Sequence, residues 1–174
     1  MKWLVFSVLF STSVFAGFYD VKERTIDGKD IAMSEFKGKP VLVVNIASQC
    51  GYTPQMTDLE ALYQKYKAKG FVLVGVPTND FGGQTPEDDK AMMEFCQKKY
   101  SATYPILTKK TIVGKEKREL YKELTEKPAK KFQAEVGWNF EKILVNKSGE
   151  VVGRYKSSTK PLDEALTKDI EKQL

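Results

Sequence analysis

The sequence predicts an α/β fold in which a central mixed β-sheet is flanked by helices. Residues 41–47 form a short apolar run rich in β-branched side chains, which is typical of a strand buried on both faces. A helical pattern and a second apolar run at 71–76 follow, so these segments predict a β-α-β unit with parallel strands and a right-handed crossover. Residues 142–146 and 151–155 predict a β-hairpin, which adds antiparallel strands.

The first half of the chain carries clear turn and helix signals. Asp27 and Gly28 lie between two short mixed strands and predict a hairpin turn. After the central strand, Thr53 is the expected N-cap of a helix, Pro54 its first residue and Gly70 its stop. One apolar face of this helix is expected to pack on the sheet, and it comprises Leu59, Leu62, Tyr63 and Tyr66.

A second helix is predicted to begin within residues 85–88, whose acidic side chains suit the positive end of a helix dipole. Spacing alone favours Cys96, which falls on the apolar face of this helix, as a core residue. A short strand start is expected at 104–107, and the lysine-rich stretch 108–133 is predicted to hold an exposed helix with loops. The apolar face of the second helix comprises Met92, Phe95, Cys96 and Tyr100.

The final predicted elements are the hairpin, which turns at Lys147, Ser148 and Gly149, and a helix opened by Pro161. This order of elements is the thioredoxin-like arrangement. No C-x-x-C motif follows the central strand, so a dithiol electron carrier does not fit. The last helix is expected to turn Leu162, Leu166 and Ile170 inward.

Composition restricts the classes of function. The 174 residues, 41% of them hydrophobic, predict one globular domain with a sizeable core. The formal net charge is +5, but the lysines are scattered and no basic cluster predicts a nucleic-acid partner. The chain has no histidine, which excludes Ser-His-Asp and Cys-His catalysis and argues against a zinc site. We expect no metal and no cofactor.

Residues 1–16 are predicted to be a signal peptide that is cleaved after Ala16, leaving a domain of residues 17–174. Lys2 is followed by a mainly apolar stretch of about the length of a signal-peptide core, and Val14 to Ala16 match the small-x-small cleavage pattern. The stretch is short for a membrane span, which needs ~20 residues, although an uncleaved anchor is the alternative. We expect an exported protein, periplasmic or secreted, without a membrane span after cleavage. A permanent disulfide between Cys50 and Cys96 is an alternative in such a compartment.

Cys50 lies at the carboxyl end of the predicted central strand and just before a helix N-terminus. Open α/β sheets commonly place their chemistry at this edge. The unpaired N–H groups of the helix end favour a thiolate over a thiol. A small buried core residue is the alternative for Cys50.

Three sequence blocks resemble the glutathione peroxidase family and occur in the same order as there. They are VNIASQCGYTPQ around Cys50, NDFGGQTP around Gln84 and WNFEKILV from Trp138. The resemblance spans about Tyr19 to Ile170. It implies a thioredoxin fold and the reduction of hydrogen peroxide or organic hydroperoxides by thiols.

The resemblance also assigns roles to residues. Cys50, Gln84, Trp138 and Asn139 match the catalytic tetrad, and Cys96 within EFCQKKYSATYP resembles the resolving cysteine of members recycled by thioredoxin. The implied reductant is a thioredoxin-like dithiol protein, with recycling by glutathione in a one-cysteine cycle as an alternative. Two functions of a different kind would also fit the cysteine pair: a peroxide-sensing relay, and a non-catalytic domain held by a permanent disulfide.

The implied tetrad is chemically reasonable in a chain without histidine. An ordinary thiol has a pKa of ~8.5, so the thiolate that attacks a peroxide needs stabilisation at neutral pH. The indole N–H of Trp138 and the amides of Gln84 and Asn139 can donate hydrogen bonds to sulfur, and they can also stabilise charge on the departing oxygen. Taken singly, the three could instead be a core aromatic, a turn residue and a strand-entry cap.

Two features depart from the family pattern. Asp80 stands where the family usually has glutamine in its N-Q-F-G motif, which could alter the electrostatics of the sheet edge. The stretch 109–133 is short, as in members that lack the tetramer-forming insertion. The resemblance therefore implies a monomer or weak dimer.

Overall fold

The computed structural model describes residues 17–174, so the predicted signal peptide lies outside the described residues. The first strands are β1 (Lys22–Arg24) and β2 (Asp30–Ala32), which pair antiparallel. Gly28 has a φ of +87° in the connection between them, a conformation that glycine adopts without steric cost. The predicted hairpin turn is confirmed.

The remaining elements follow in the predicted order. They are β3 (Val41–Ile46), α1 (Gln55–Tyr66), β4 (Val72–Pro77), α2 (Asp89–Tyr100), α3 (Glu119–Thr125), β5 (Lys142–Val145), β6 (Val151–Tyr155) and α4 (Glu164–Gln173). Short 3₁₀ turns occur at Phe18–Asp20, Met33–Phe36, Lys67–Lys69 and Lys130–Phe132.

The main sheet has the strand order β4-β3-β5-β6. β3 is parallel to β4 and antiparallel to β5, and β6 pairs antiparallel with β5. This arrangement confirms the prediction of a central mixed sheet that includes a β-α-β unit and a carboxyl-terminal hairpin. The expected strand start at 104–107 is limited to single bridges, from Ile106 to Gly75 and from Leu107 to Thr25.

Both faces of the sheet are covered by packed side chains. Alternate side chains of β3 point to opposite sides, so this strand contributes to both cores. Leu42 and Val44 belong to a core on the side of α1, α2 and α4, whereas Val41 and Val43 belong to a second core on the side of α3. All six residues of β3 are buried. The prediction of a strand buried on both faces is confirmed.

The amino-terminal end of α1 differs from the prediction. The helix begins at Gln55, and Pro54 occupies the cap position. Thr53 does not cap the helix, because its hydroxyl accepts from the N–H of Cys50 and donates to the carbonyl of Ala47. The predicted stop is confirmed, since Gly70 follows the Lys67–Lys69 turn with a φ of +90°.

The second helix begins later than predicted, at Asp89 instead of within 85–88. The side chain of Asp88 accepts from the N–H of Ala91 and is the N-cap. Residues 85–88 therefore belong to the preceding loop and to the cap position. The predicted inward face is confirmed for Met92 and Cys96, which are buried, whereas Phe95 and Tyr100 are half-buried.

Two predictions about the surface were wrong. α3 is largely buried, because Leu120, Tyr121 and Leu124 pack in the core on its side of the sheet. Leu162 is 45% exposed, since α4 begins only at Glu164 and leaves Leu162 in the preceding turn. Within residues 17–174, no helix has the length and apolarity needed to cross a bilayer.

Candidate active site

Cys50 lies in the turn between the end of β3 and the start of α1, and it is 8% exposed. The hydroxyl of Thr53 fixes this turn by accepting from the N–H of Cys50 at 3.0 Å and donating to the carbonyl of Ala47 at 2.9 Å. The backbone N–H of Tyr52 donates to Cys50 Sγ at 3.5 Å. The sulfur of Cys50 therefore has a backbone hydrogen-bond donor within the turn that leads into α1.

Gln84 lies in the loop after β4 and is joined to the Cys50 turn through its backbone. Its carbonyl accepts from the N–H of Gln49 at 3.0 Å and from the hydroxyl of Ser48 at 3.3 Å. Its side-chain oxygen accepts from the Nδ2 of Asn139 at 3.1 Å. The loop after β4, the Cys50 turn and the segment before β5 therefore meet at the carboxyl edge of the parallel strands.

Asn139 is fully buried, and Trp138 beside it is 40% exposed. The Oδ1 of Asn139 has no hydrogen-bond partner among the described residues. The indole of Trp138 lies against the ring of Phe81, with 5.8 Å between the ring centroids. Asn139 is thus held inside the protein, while Trp138 forms part of the surface at the same edge.

The structure brings some of the predicted site residues together and leaves others apart. Gln84 and Asn139 contact each other, and the backbone of Gln84 contacts the turn that carries Cys50. Neither these amides nor the indole of Trp138 donates to Cys50 Sγ among the described residues, where the donor is the Tyr52 N–H. A backbone donor has no side-chain signal in the sequence, although a helix N-terminus predicts this kind of group. The catalytic roles of Gln84, Trp138 and Asn139 stay predictions.

Glu87 is a further charged residue at this edge that sequence reasoning did not single out. Its carboxylate accepts from the hydroxyl of Ser48 and from the Nε2 of Gln49, the latter at 3.4 Å. Partial burial, the largest single effect, raises the pKa of Glu87, but these hydrogen bonds and the charge of Lys109 together hold it below its ordinary value. Within residues 17–174 no three His, Cys, Asp or Glu side chains form a metal-binding group.

Cys96 is fully buried in α2, in the same core as Cys50. Both cysteines are free thiols in this structure. Burial, assisted by the charge of Glu87, raises the pKa of the Cys96 thiol to about 12. The packed helix therefore keeps Cys96 protonated and shielded from solvent.

Asp80, the residue that departs from the family pattern, has structural partners. Its carboxylate accepts from the hydroxyl of Thr111 and from the N–H of Ile112, each at 2.7 Å. Both partners lie in the segment that leads towards α3. Asp80 thus anchors this segment to the loop after β4, a role that its short carboxylate can fill.

The architecture is that of the thioredoxin fold, as predicted. The chain superposes on a thiol:disulfide interchange protein of the thioredoxin family from Chlorobium tepidum with a TM-score of 0.67. That match has 18% sequence identity over 88% of this chain and 92% of the other, so it shows the fold alone. The crystal structure of Trgpx in its apo form gives a TM-score of 0.71 at 35% identity, over 91% of this chain and 96% of that one.

The family described as glutathione peroxidase matches residues 18–125. The chain is 46% identical over 157 residues to a glutathione peroxidase-like peroxiredoxin, gpx1, of Schizosaccharomyces pombe, covering 90% of this chain and 98% of the relative. It is 39% identical over 157 residues to the glutathione peroxidase homolog BsaA of Bacillus subtilis, covering 90% and 97%. The chain belongs to the glutathione peroxidase family and is a peroxidase, as its three sequence blocks predicted.

Proposed function

We propose that this protein reduces hydrogen peroxide and organic hydroperoxides with Cys50 as the nucleophile. The observation that supports this most directly is the position of Cys50 at the carboxyl edge of the parallel strands, with the Tyr52 N–H directed at its sulfur. The amide of the buried Asn139 and that of the half-buried Gln84, which are hydrogen-bonded to each other, lie at the same edge. This edge supplies donors for charge that develops on sulfur and on a peroxide oxygen, and it needs no histidine.

The first step forms a sulfenic acid on Cys50. The thiolate attacks one peroxide oxygen, a sulfur–oxygen bond forms and the oxygen–oxygen bond breaks. The thiolate is oxidised, and the departing oxygen takes a proton and leaves as water or an alcohol. Trp138, Gln84 and Asn139 would hold the peroxide and stabilise the departing oxygen, as the family resemblance implies.

In the second step, Cys96 resolves the sulfenic acid. Its sulfur attacks the Cys50 sulfur, a disulfide forms and the hydroxyl leaves as water with the proton of the Cys96 thiol. Cys96 is buried in α2, and burial raises its pKa to about 12. Partial unwinding of α2 would both expose Cys96 and return its pKa towards the ordinary range, so we infer that the helix opens before resolution.

In the third step, a dithiol protein of the thioredoxin type reduces the disulfide. Its thiolate attacks one of the two sulfurs, and the mixed disulfide is then released by its second thiol. The names of several relatives as peroxiredoxins support this choice. Glutathione is the alternative reductant, and it would reduce the Cys50 sulfenic acid directly, without Cys96.

The experiment that tests this function is a peroxide-consumption assay with thioredoxin and glutathione systems side by side. Wild-type protein is expected to reduce peroxide over many cycles with the thioredoxin system. Cys50→Ser is expected to fold and to reduce no peroxide. Cys96→Ser should lose turnover with thioredoxin while still consuming one equivalent of peroxide. Full thioredoxin-dependent turnover by Cys96→Ser would contradict the two-cysteine cycle, and activity of Cys50→Ser would contradict the whole assignment.

We also propose that the protein is exported and acts as a monomer or weak dimer. The support for export is the signal-peptide pattern of residues 1–16. Expression of the full chain in a bacterium, with amino-terminal sequencing of the extracytoplasmic fraction, should give a mature protein that begins at Gly17. Recovery of uncleaved chain in the cytoplasm alone would contradict this localisation.

A further inference from the structure

Asn45 is an unusual residue for its place in the fold. It is 1% exposed in β3, where its neighbours in the strand are valine, leucine and isoleucine. Asparagine is depleted in β-strands, and a buried amide is costly unless both its polar atoms are paired. The Oδ1 of Asn45 has no partner among the described residues. A strand that carried only packing would not require this side chain.

The nitrogen of the same amide has a specific partner. Asn45 Nδ2 donates to the backbone carbonyl of Trp138 at 3.0 Å, and the backbone carbonyl of Asn45 accepts from the N–H of Phe140 at 2.7 Å. These two hydrogen bonds lie on either side of Asn139. A single residue of β3 thus holds both neighbours of Asn139 in place.

The register of the sheet explains why this residue can do so. The ladder between β3 and β5 ends with Val44 opposite Lys142, and Asn45 is the next residue along β3. Beyond that point β3 is no longer paired with β5. The segment 138–140 lies beside β3 in the position that β5 occupied. The main-chain hydrogen bond to Phe140 continues the contact, and the side chain of Asn45 adds a second one.

The backbone of the anchored segment is also strained. Phe140 has a φ of +65°, a conformation that costs energy for a bulky residue, and its ring is fully buried. Such a turn persists only when its surroundings hold it. Asn45 provides this support on one side, by donating to the carbonyl of Trp138 and accepting from the N–H of Phe140, and the hydrogen bond from Asn139 to Gln84 provides it on the other.

We propose that Asn45 is a positioning residue, which sets Trp138 and Asn139 at the edge that carries Cys50. This inference rests on the proposed function, because it concerns the same peroxide site. Asn45 and Cys50 belong to one continuous stretch of chain, so their spacing is fixed by the strand and the turn. The hydrogen bond from Asn45 to the backbone of Trp138 therefore links Trp138 and Asn139 to β3, the strand that leads into the Cys50 turn.

The test uses a variant that removes only the hydrogen bond from the Asn45 side chain to the carbonyl of Trp138. Asn45→Leu keeps the shape of the side chain and leaves the carbonyl that binds Phe140, but it cannot donate to Trp138. The single-turnover rate of Cys50 oxidation by hydrogen peroxide is expected to fall on the order of 10- to 100-fold, since small misplacements of reacting groups have effects of this size. The rate of Cys50 alkylation by iodoacetamide should change much less, because alkylation does not use the peroxide-binding donors.

Val43→Ala is the matched control, since Val43 lies on the same face of the same strand, is fully buried and has an apolar side chain that cannot donate. It should lower the stability of the fold and leave the oxidation rate within about twofold of wild type, because it keeps the hydrogen bonds between Asn45 and the segment 138–140. A rate loss in Val43→Ala as large as that in Asn45→Leu would mean that general destabilisation explains the effect. That outcome would overturn the inference.

A double-mutant cycle with Asn139→Ala separates positioning from other effects. If Asn45 acts through the segment 138–140, adding Asn45→Leu to Asn139→Ala should slow oxidation by less than Asn45→Leu does alone. Fully additive losses would overturn the inference, as would a folded Asn45→Leu that reacts as fast as wild type.

Should Asn45→Leu fail to fold, Asn45→Ser takes its place, and its oxidation rate is compared with those of wild type and Val43→Ala in the same way. An inactive wild-type protein would instead refute the proposed function.

Discussion

At the scale of single residues, the candidate site contains hydrogen-bond donors and no histidine. The chain contains no histidine, and the donor that contacts Cys50 Sγ is the backbone N–H of Tyr52. The amides of Gln84 and Asn139 bind each other at the same edge. Asn139 Oδ1 is buried without a partner among the described residues, which is a cost that a functional site can retain.

The indole N–H of Trp138 is expected to contribute to peroxide reduction. Trp138→Phe keeps an aromatic ring beside Phe81 but removes the donor. We expect the rate of Cys50 oxidation to fall by about 10- to 1000-fold, the range for loss of one electrostatic donor. Stopped-flow measurement of single-turnover oxidation by hydrogen peroxide gives this rate.

Phe81→Leu is the control for this measurement, because it alters the ring contact and leaves the indole in place. Its oxidation rate should stay near that of wild type. Equal rates in wild type and Trp138→Phe would show that Trp138 serves packing only. A loss in Phe81→Leu as large as in Trp138→Phe would assign the effect to the ring contact.

At the scale of secondary-structure elements, α2 combines a side-chain cap at its amino terminus with a buried free thiol. Asp88 caps its amino terminus, and Cys96 is fully buried on its inner face. A disulfide requires Cα atoms within roughly 7 Å and converging side chains. Because both cysteines are free thiols here, the described form corresponds to the reduced protein.

The reduced and disulfide forms are expected to differ in the folding of α2. Amide hydrogen exchange of residues 86–100 should be slow in the dithiol form and much faster after disulfide formation, because the helix must open to release Cys96. α1 serves as the internal reference and should keep its protection. Peroxide-treated Cys96→Ser should stay protected throughout. Equal protection of α2 in both wild-type forms would favour a structural disulfide instead.

A buried ion pair joins the amino-terminal hairpin to α3. The guanidinium of Arg118 donates to both carboxylate oxygens of Glu23, at 2.9 and 2.5 Å, and also to the carbonyl of Thr108 at 3.0 Å. Both side chains of the ion pair are almost fully buried. Removing one partner leaves an uncompensated charge in the interior, which is strongly destabilising.

Glu23→Ala should therefore lower the free energy of unfolding by ~3–5 kcal/mol. The matched control is Glu94→Ala, which breaks an exposed ion pair with Lys98 within α2 and should have a far smaller effect. Urea denaturation of the reduced proteins measures both changes. Similar losses in the two variants would contradict the structural role of the buried pair.

At the scale of the whole molecule, the sequence predicted the sheet and the position of Cys50, because both have local signals. The apolar run of β3 and the helical pattern after it were enough to place Cys50 at the carboxyl edge of the parallel strands. The start of α2 was misplaced, since Pro86 resembles a first helical residue while the cap is Asp88. α3 was expected to be exposed because the stretch around it is rich in lysine, although the helix itself contains one lysine, Lys122.

The contacts that organise the site could not be predicted in the same way. The hydrogen bond between Asn45 and Trp138, and that between Gln84 and Asn139, join residues far apart in the chain. Such contacts depend on how the elements pack, and no local pattern of residues specifies them. The family resemblance supplied the candidate site residues, and the fold explains how three separate segments meet at one edge.

The most direct test of the two-cysteine cycle is mass spectrometry of reduced protein treated with one equivalent of hydrogen peroxide. Wild type should lose two hydrogen atoms and yield a peptide in which Cys50 is joined to Cys96. Cys96→Ser should instead gain one oxygen atom at Cys50, as a sulfenic acid that a dimedone probe captures. The account would be contradicted if both thiols stayed free in the presence of peroxide, or if Cys96 were oxidised while Cys50 remained intact.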